Sequence, residues 1–257
     1  MQRIRADAPL VHNITNYVVM NTTANALLAV GASPVMAHAI EEIDEMVALA
    51  RAVVLNIGTL SGPWIEAMAM AGREAKRRSL PLVLDAVGAG ATSLRTRVAR
   101  RLLEEASPTI LRGNASEIRA LAFSERGTKG VDSTHDSEDT VDAARTLHRR
   151  YGCVVSVSGA TDVIVSADAV AKVRNGHEMM PRVTGLGCTA SALTGAFAAV
   201  NPSALHAASH AMALNGIAGE IAGERSKGPG SFQANFLDAL FSLDGSEIER
   251  RLRMEVG

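Results

Sequence analysis

The chain has 257 residues, with 26 basic and 27 acidic side chains, and this balance leaves no electrostatic footprint for nucleic acid or an anionic membrane. Hydrophobic residues at 47% and charged residues at 21% describe a globular protein able to bury a sizeable core, while 3% aromatics leave little for stacking on bases. The segment MQRIRADAPLVHNIT carries no apolar signal-peptide core, no apolar run reaches membrane-spanning length, and two cysteines without a CxxC pair fit a reducing cytosol.

Short apolar runs alternate with helical patterns along most of the chain. LVHNI (10–14) reads as a strand before a helix over 15–30, which Gly31 closes. RAVVLNIG (51–58) reads as a strand before a helix over 61–79, with Pro63 tolerated in its first turn. LPLVLDAVG (80–88) precedes a helix over 92–107, and PTILRGN (108–114) precedes another over 115–123. The polar, glycine-punctuated stretch 124–139 reads as a loop, followed by a helix ending near Gly152 and the strand CVVSVSG (153–159). VIVSADAVAKVRNGHEMMP (163–181) reads as a hairpin turning near Asn175 and Gly176, after which the pattern is helical to the end, with SEIE (246–249) as a capping box. Continuous apolar strands separated by helices predict βαβ units and a largely parallel sheet covered on both faces, in one domain over 1–257.

In an open α/β sheet, ligands bind beyond the carboxyl ends of the strands. Those ends carry His12 and Asn13; Asn56 and Gly58; Asp85, Gly88 and Gly90; Arg112, Asn114 and Glu117; and Ser158 and Gly159. Asp85 or Asn114 taken alone reads as a helix cap, which is common in βα loops. An arginine, an aspartate and a glutamate converging there read as a site for phosphate and Mg²⁺.

A second signal is VTGLGCTASALTGAF (183–197), in which a tight glycine turn feeds a helix start. Unpaired amides and the helix dipole make such a start an anion site and favour a thiolate at Cys188. Cys188 is open to three readings: nucleophile, proton acceptor, or a small residue that fits. A cysteine hydrolase would need a nearby histidine, and nothing in the spacing selects among the seven histidines. Cys153, entering an apolar strand, reads as a core residue.

HNITNYVVMNTTANALLAVGASPVMAHAIEE, LDAVGAGAT, ILRGNASEI, VTGLGCTASAL and GPGSFQANFLDAL, in this order, closely resemble the hydroxyethylthiazole kinase family of thiamine salvage. That family belongs to the ribokinase-like superfamily, whose Asn-x-x-Glu motif is matched by Asn114 and Glu117. The resemblance implies a central, mostly parallel sheet flanked by helices on both faces, and a homotrimer with active sites at subunit interfaces. It also implies ATP-dependent phosphorylation of the hydroxyl of 4-methyl-5-(2-hydroxyethyl)thiazole with Mg²⁺, and the cysteine usage above places the protein in the cytoplasm. By motif position, Arg112 and Ser158 contact nucleotide, and Asp85 and Glu117 serve Mg²⁺. Asn16, Met36 and Gly185 fall on the thiazole side. Cys188 occupies the position where many superfamily relatives carry an aspartate base. Another vitamin or sugar kinase of the superfamily, a cysteine hydrolase and a non-catalytic nucleotide-binding module are the competing readings.

Overall fold

The computed structural model describes residues 1–123 and 136–257. The first strand, β1 (Leu10–Ile14), follows a short helix α1 (Gln2–Asp7) and leads to helix α2 (Met20–Ala29) and edge strand β2 (Ser33–Val35). Helix α3 (Ile43–Leu49) returns to β3 (Ala52–Asn56), and α4 (Gly62–Arg77) leads to β4 (Leu82–Asp85). The pattern repeats through α5 (Ser93–Ala106), β5 (Ile110–Asn114), α6 (Ala115–Ala122), α7 (Asp136–Tyr151) and β6 (Val154–Ser158). Strands β7 (Asp162–Val165) and β8 (Val170–Val173) follow, and then helices α8 (Leu186–Val200) and α9 (Ala204–Arg225). Helices α10 (Pro229–Ser242) and α11 (Gly245–Arg251) and strand β9 (Met254–Val256) end the chain.

One sheet runs β2-β1-β3-β4-β5-β6-β7-β8-β9, parallel from β2 to β6 and antiparallel beyond. Side chains alternate between faces along each strand, and here both faces are apolar, as a doubly covered sheet requires. Val54, Val83 and Ile110 join the core formed with α2, α8, α9 and α10. Leu55, Leu84 and Leu111 join the opposite core, under α3 to α7. Cys153 is fully buried in this second core, as its sequence context predicts.

Several boundaries differ from the sequence reading. The first long helix starts at Met20 rather than Thr15, because Asn16 Oδ1 accepts the Val18 N–H at 3.1 Å and holds 15–19 as a turn. The hairpin turns at 166–169, where the Ser166 N–H meets Ala169 O at 3.0 Å, and not at Asn175 and Gly176. The chain does not end as helix: β9 pairs with β8, and the last helix is capped by Asp244, which takes the Glu247 N–H, instead of by Ser246. The short elements α1, β2 and α3 have no clear periodic signal. The loop predicted over 124–139 lies outside the described residues up to 135, and its last residues open α7.

Helix α8 lies close on the sheet because it is built from small residues. A Cβ on Gly195 would sit 2.5 Å from Val54 Cγ2 and 3.1 Å from Val11 Cγ1. Gly195→Val is therefore expected to destabilise the fold by about 1–3 kcal/mol through overpacking, read as a lower denaturation midpoint at constant slope. An unchanged midpoint would contradict the close approach.

Candidate active site

The parallel register sets the site. Asn56 of β3 pairs with Asp85 of β4, and Asp85 with Arg112 of β5, so three polar residues stand side by side where the strands end. All three are buried. Asn56 Nδ2 donates to Asp85 Oδ2 at 2.7 Å, and Ser191 Oγ donates to the same oxygen at 2.6 Å. Arg112 Nη1 donates to that Ser191 hydroxyl at 2.6 Å and to Gly187 O at 2.9 Å, while Nη2 meets Met212 Sδ at 3.2 Å. The serine hydroxyl thus stands between carboxylate and guanidinium. On the other side, Asn16 Nδ2 donates to Asn56 Oδ1 at 2.9 Å and lies 3.4 Å from Cys188 Sγ. A continuous polar chain runs Cys188, Asn16, Asn56, Asp85, Ser191, Arg112. Gly58 shares its Asn56 oxygen at 2.9 Å, and a Cβ there would lie 2.6 Å from Asn16 Nδ2.

Helix α8 starts at this chain. Gly185 adopts φ +88°, and a Cβ on it would lie 2.7 Å from Val19 Cγ1, so the turn requires glycine. The first helical bond runs from the Thr189 N–H to Gly185 O at 2.8 Å, leaving the Leu186, Gly187 and Cys188 amides without helical acceptors. Beside them opens a cavity of about 720 Å³ lined by Arg112, Ser158, Asp162, Thr184, Gly185 and Asn215, among others. Arg112 Nε is buried without a partner among the described residues. A buried cationic N–H left unpaired, three free helix amides and a cavity together fit a polyphosphate.

Charge in the site is set by burial. Burial pushes the Asp85 carboxyl up to about 6, with the Glu117 charge adding to it and Arg112 and the Ser191 hydrogen bond opposing it. Asp162, which accepts the Gly159 N–H at 3.0 Å and holds the turn after Ser158, is likewise raised to about 6 by burial. The Cys188 thiol is pushed up to about 11, first by burial and then by the Asp85 charge. The thiolate favoured by the helix start is therefore not the resting form, because desolvation and a neighbouring carboxylate outweigh the dipole. Burial, Asp85, Asn56, Asn16 and Arg112 act on the Cys188 thiol, and no histidine is among these groups; His135 lies outside the described residues.

Glu117 has a double role. Its Oε2 takes the Asn114 N–H at 2.7 Å while Asn114 Oδ1 takes the Glu117 N–H at 2.9 Å, a complete capping box on α6. Its Oε1 takes the Gly88 N–H at 2.6 Å and so ties the β4 and β5 loops together. Among the described residues no group of three or more histidine, cysteine, aspartate or glutamate side chains could hold a metal. Two carboxylates close enough for one to raise the other suit a hard divalent ion that keeps its waters and takes phosphate oxygens, rather than an all-protein cage.

The remaining predicted residues separate. Ser158 lines the same cavity as Arg112 and Gly185, its hydroxyl 3.4 Å from Gly113 O. Met36 is outside that lining, half-buried just beyond β2. Its segment is held by His12 Nε2, which meets Ala37 O at 2.8 Å, and by His38 stacked 3.9 Å from Trp64. Trp64 also packs against Tyr17, next to Asn16. His12 and Asn13 serve the backbone and do not join the polar chain. Ser191, Asp162 and Asn215 have no motif signal; Ser191, one helical turn after Cys188, is the one that spacing could have raised.

A twisted, mostly parallel sheet with an arginine, carboxylates and an anion-binding helix start at its carboxyl edge defines a ribokinase-like small-molecule kinase. The fold matches a ribokinase-like superfamily protein of Enterococcus faecalis with TM-score 0.67 over 96% of this chain and 89% of that one, at 12% identity. The hydroxyethylthiazole kinase family matches residues 1–246, and the chain belongs to that family. It is 60% identical to a hydroxyethylthiazole kinase of Syntrophus aciditrophicus over all of this chain and 96% of that one. The structure of a hydroxyethylthiazole kinase protein from Pyrococcus horikoshii matches with TM-score 0.93 and 45% identity, covering 100% and 96% of the two chains.

The Asp85 burial gives a stability test. Its carboxyl is raised from an ordinary 3.8 to about 6, so the folded state binds the proton more tightly, and stability falls as pH rises between those values. Asp85→Asn mimics the protonated form. Without metal or nucleotide, its melting temperature relative to wild type is expected to be higher at pH 7.5 than at pH 4.5. The same difference at both pH values would contradict the buried-charge account.

Proposed function

We propose that this cleft phosphorylates the hydroxyl of 4-methyl-5-(2-hydroxyethyl)thiazole with ATP as donor, in thiamine salvage. The observation that carries this reading is the cavity lined by Arg112, Ser158, Gly185, Leu186 and Gly187, where α8 begins with its free amides and where the buried Arg112 Nε has no partner among the described residues. Phosphoryl transfer needs positioning and charge neutralisation more than covalent chemistry. In this reading Arg112 and Ser158 hold the nucleotide, and the 186–188 amides hold the phosphoryl group as it moves. Asp85 and Glu117 would hold Mg²⁺ and its water shell. The ion, when bound, neutralises charge on the polyphosphate.

Asn16 and Gly185 border the acceptor hydroxyl, which lies within reach of Cys188 Sγ. With its thiol raised to about 11, Cys188 is neutral near pH 7 and orients the hydroxyl by hydrogen bonding. A loose transition state asks little of a base, because the proton leaves late. The raised thiol also weighs against the hydrolase reading, which requires a thiolate nucleophile.

Met36 serves the thiazole ring from outside the nucleotide cavity, and an assembly of copies supplies the closure. Tyr17 and Val18, next to Asn16, are each 63% exposed, which supports a homotrimer whose subunits meet at the acceptor site. Among the described residues no helix is long and apolar enough to cross a membrane. Both cysteines are free, which supports a cytoplasmic location.

ADP formation that requires the thiazole alcohol and Mg²⁺ tests the function; ester cleavage without ATP, blocked by thiol reagents, would replace it with a hydrolase. Cys188→Ala is expected to lower kcat by less than about 100-fold, and Cys188→Asp to remain active. A folded aspartate variant that binds both substrates yet is inactive, or a covalent Cys188 adduct trapped in turnover, would contradict this role.

Two binding variants separate nucleotide from metal. Arg112→Lys is expected to raise the KM for ATP by roughly tenfold or more, since lysine lacks the planar fork. Glu117→Gln is expected to shift the Mg²⁺ requirement and lower kcat. Wild-type nucleotide affinity in the first variant, or an unchanged metal titration in the second, removes that residue from the role.

A further inference from the structure

We infer that Glu220 and Asn175, with the chain end at 251–253, form a clamp that positions the nucleotide-binding wall and so sets affinity for ATP. The inference rests on the nucleotide reading of the cavity beside Arg112. One wall of that cavity is the loop from Arg174 to Pro181, which has no regular strand or helix until a short 3₁₀ turn at Met180–Arg182. Something other than a ladder must hold it.

Asn175 is buried, and each hydrogen-bonding group of its amide is engaged. Oδ1 accepts the Arg253 N–H at 2.9 Å, while Nδ2 donates to Glu220 Oε1 at 3.0 Å and to Arg251 O at 2.8 Å. The backbone donor at Arg253 fixes the amide orientation, since only oxygen can accept it. Glu220 Oε1 also takes the Gly176 N–H at 3.1 Å and an ion pair from Arg253, and Arg251 Nη1 lies 4.0 Å from Glu220 Oε2. Gly176 sits at φ +155°, at the edge of what a side chain tolerates. A short backbone bond from the Arg174 N–H to Arg253 O, 2.9 Å, continues the grip toward β8 and β9.

Helix α9 is shaped to receive this loop. Glu220 projects from it one turn after Gly216, where a Cβ would strike the Asn175 backbone. A Cβ on Gly219 would lie 2.5 Å from Met180 Sδ, and one on Gly223 would strike the His177 ring. Asn175, His177 and Met180 all line the cavity. The loop thus meets α9 through glycines, Glu220 through a carboxylate, and the chain end through backbone groups.

None of these residues joins the polar chain from Cys188 to Arg112, so loosening them moves the wall and leaves the chemistry in place. The test compares Glu220→Ala, Glu220→Gln and Asn175→Ala with wild type in KM for ATP, KM for the thiazole alcohol, kcat, and the dissociation constant of a non-hydrolysable ATP analogue. Glu220→Ala and Asn175→Ala are expected to raise the KM for ATP and the analogue constant about tenfold, as loss of a charged or fully engaged hydrogen-bond partner does. The KM for thiazole and kcat should stay within about twofold. Glu220→Gln keeps an oxygen for Asn175 and Gly176 and should recover most of the affinity. Should Glu220→Ala fail to fold, the glutamine and Asn175 variants carry the comparison.

Unchanged nucleotide affinity in the alanine variants, or equal losses for both substrates and kcat, would overturn the clamp. Arg112→Ala separates the two readings. If it abolishes analogue binding while the Glu220 and Asn175 variants do not weaken it, the clamp fails and the nucleotide cavity stands. If wild-type affinity does not depend on Arg112, the cavity reading itself has failed.

Discussion

The site is organised around one buried carboxylate. Asp85 ends β4 near the centre of a doubly covered parallel sheet, where an ionised group without partners would be costly. Two hydrogen bonds to Oδ2 and the Arg112 charge on the next strand offset that cost without removing it. One of those donors, Ser191, belongs to α8. The bond that satisfies the carboxylate therefore also pins the start of α8, with its free amides and Cys188, to the ends of β4 and β5. Electrostatic necessity and positioning are the same contact.

Cys188 follows from this arrangement. Placed on an isolated helix start it would lose its proton readily, but here it is buried beside Asp85 and keeps it. A neutral thiol does not repel an incoming phosphoryl group as a carboxylate would. The abundance of small residues in α8 and α9 serves the same end, since close helix approach brings Ser191 and Met212 to Arg112 and seats the 174–181 wall of the cavity on glycines.

Much of this was legible in the sequence, for physical reasons. Strands buried on both faces read as unbroken apolar runs, and the polar residue that ends each run marks the carboxyl edge. That reading brought Asn56, Asp85, Arg112, Asn114, Glu117 and Ser158 to one edge, and the glycine turn located the start of α8. The edge strands β2 and β9 are not legible, because three residues carry no period. Asn175 and Gly176 have the local chemistry of a turn, whereas long-range bonds to 251–253 and Glu220 use them instead. Ser191 and Asp162 carry no sequence signal, since a serine inside a small-residue helix and an aspartate at a strand start look ordinary until the fold brings Arg112 near. The state of the Cys188 thiol is not legible locally, because it is set first by burial in the folded chain and then by Asp85, 103 positions away.

The most direct measurement is a crystal structure with a non-hydrolysable ATP analogue, Mg²⁺ and the thiazole alcohol. The terminal phosphate is expected at the Leu186, Gly187 and Cys188 amides, with Arg112 Nε on a phosphate oxygen and the alcohol oxygen within hydrogen-bond reach of Cys188 Sγ. A terminal phosphate seated away from the start of α8, with Arg112 still engaged only by Gly187, Ser191 and Met212, would contradict the account.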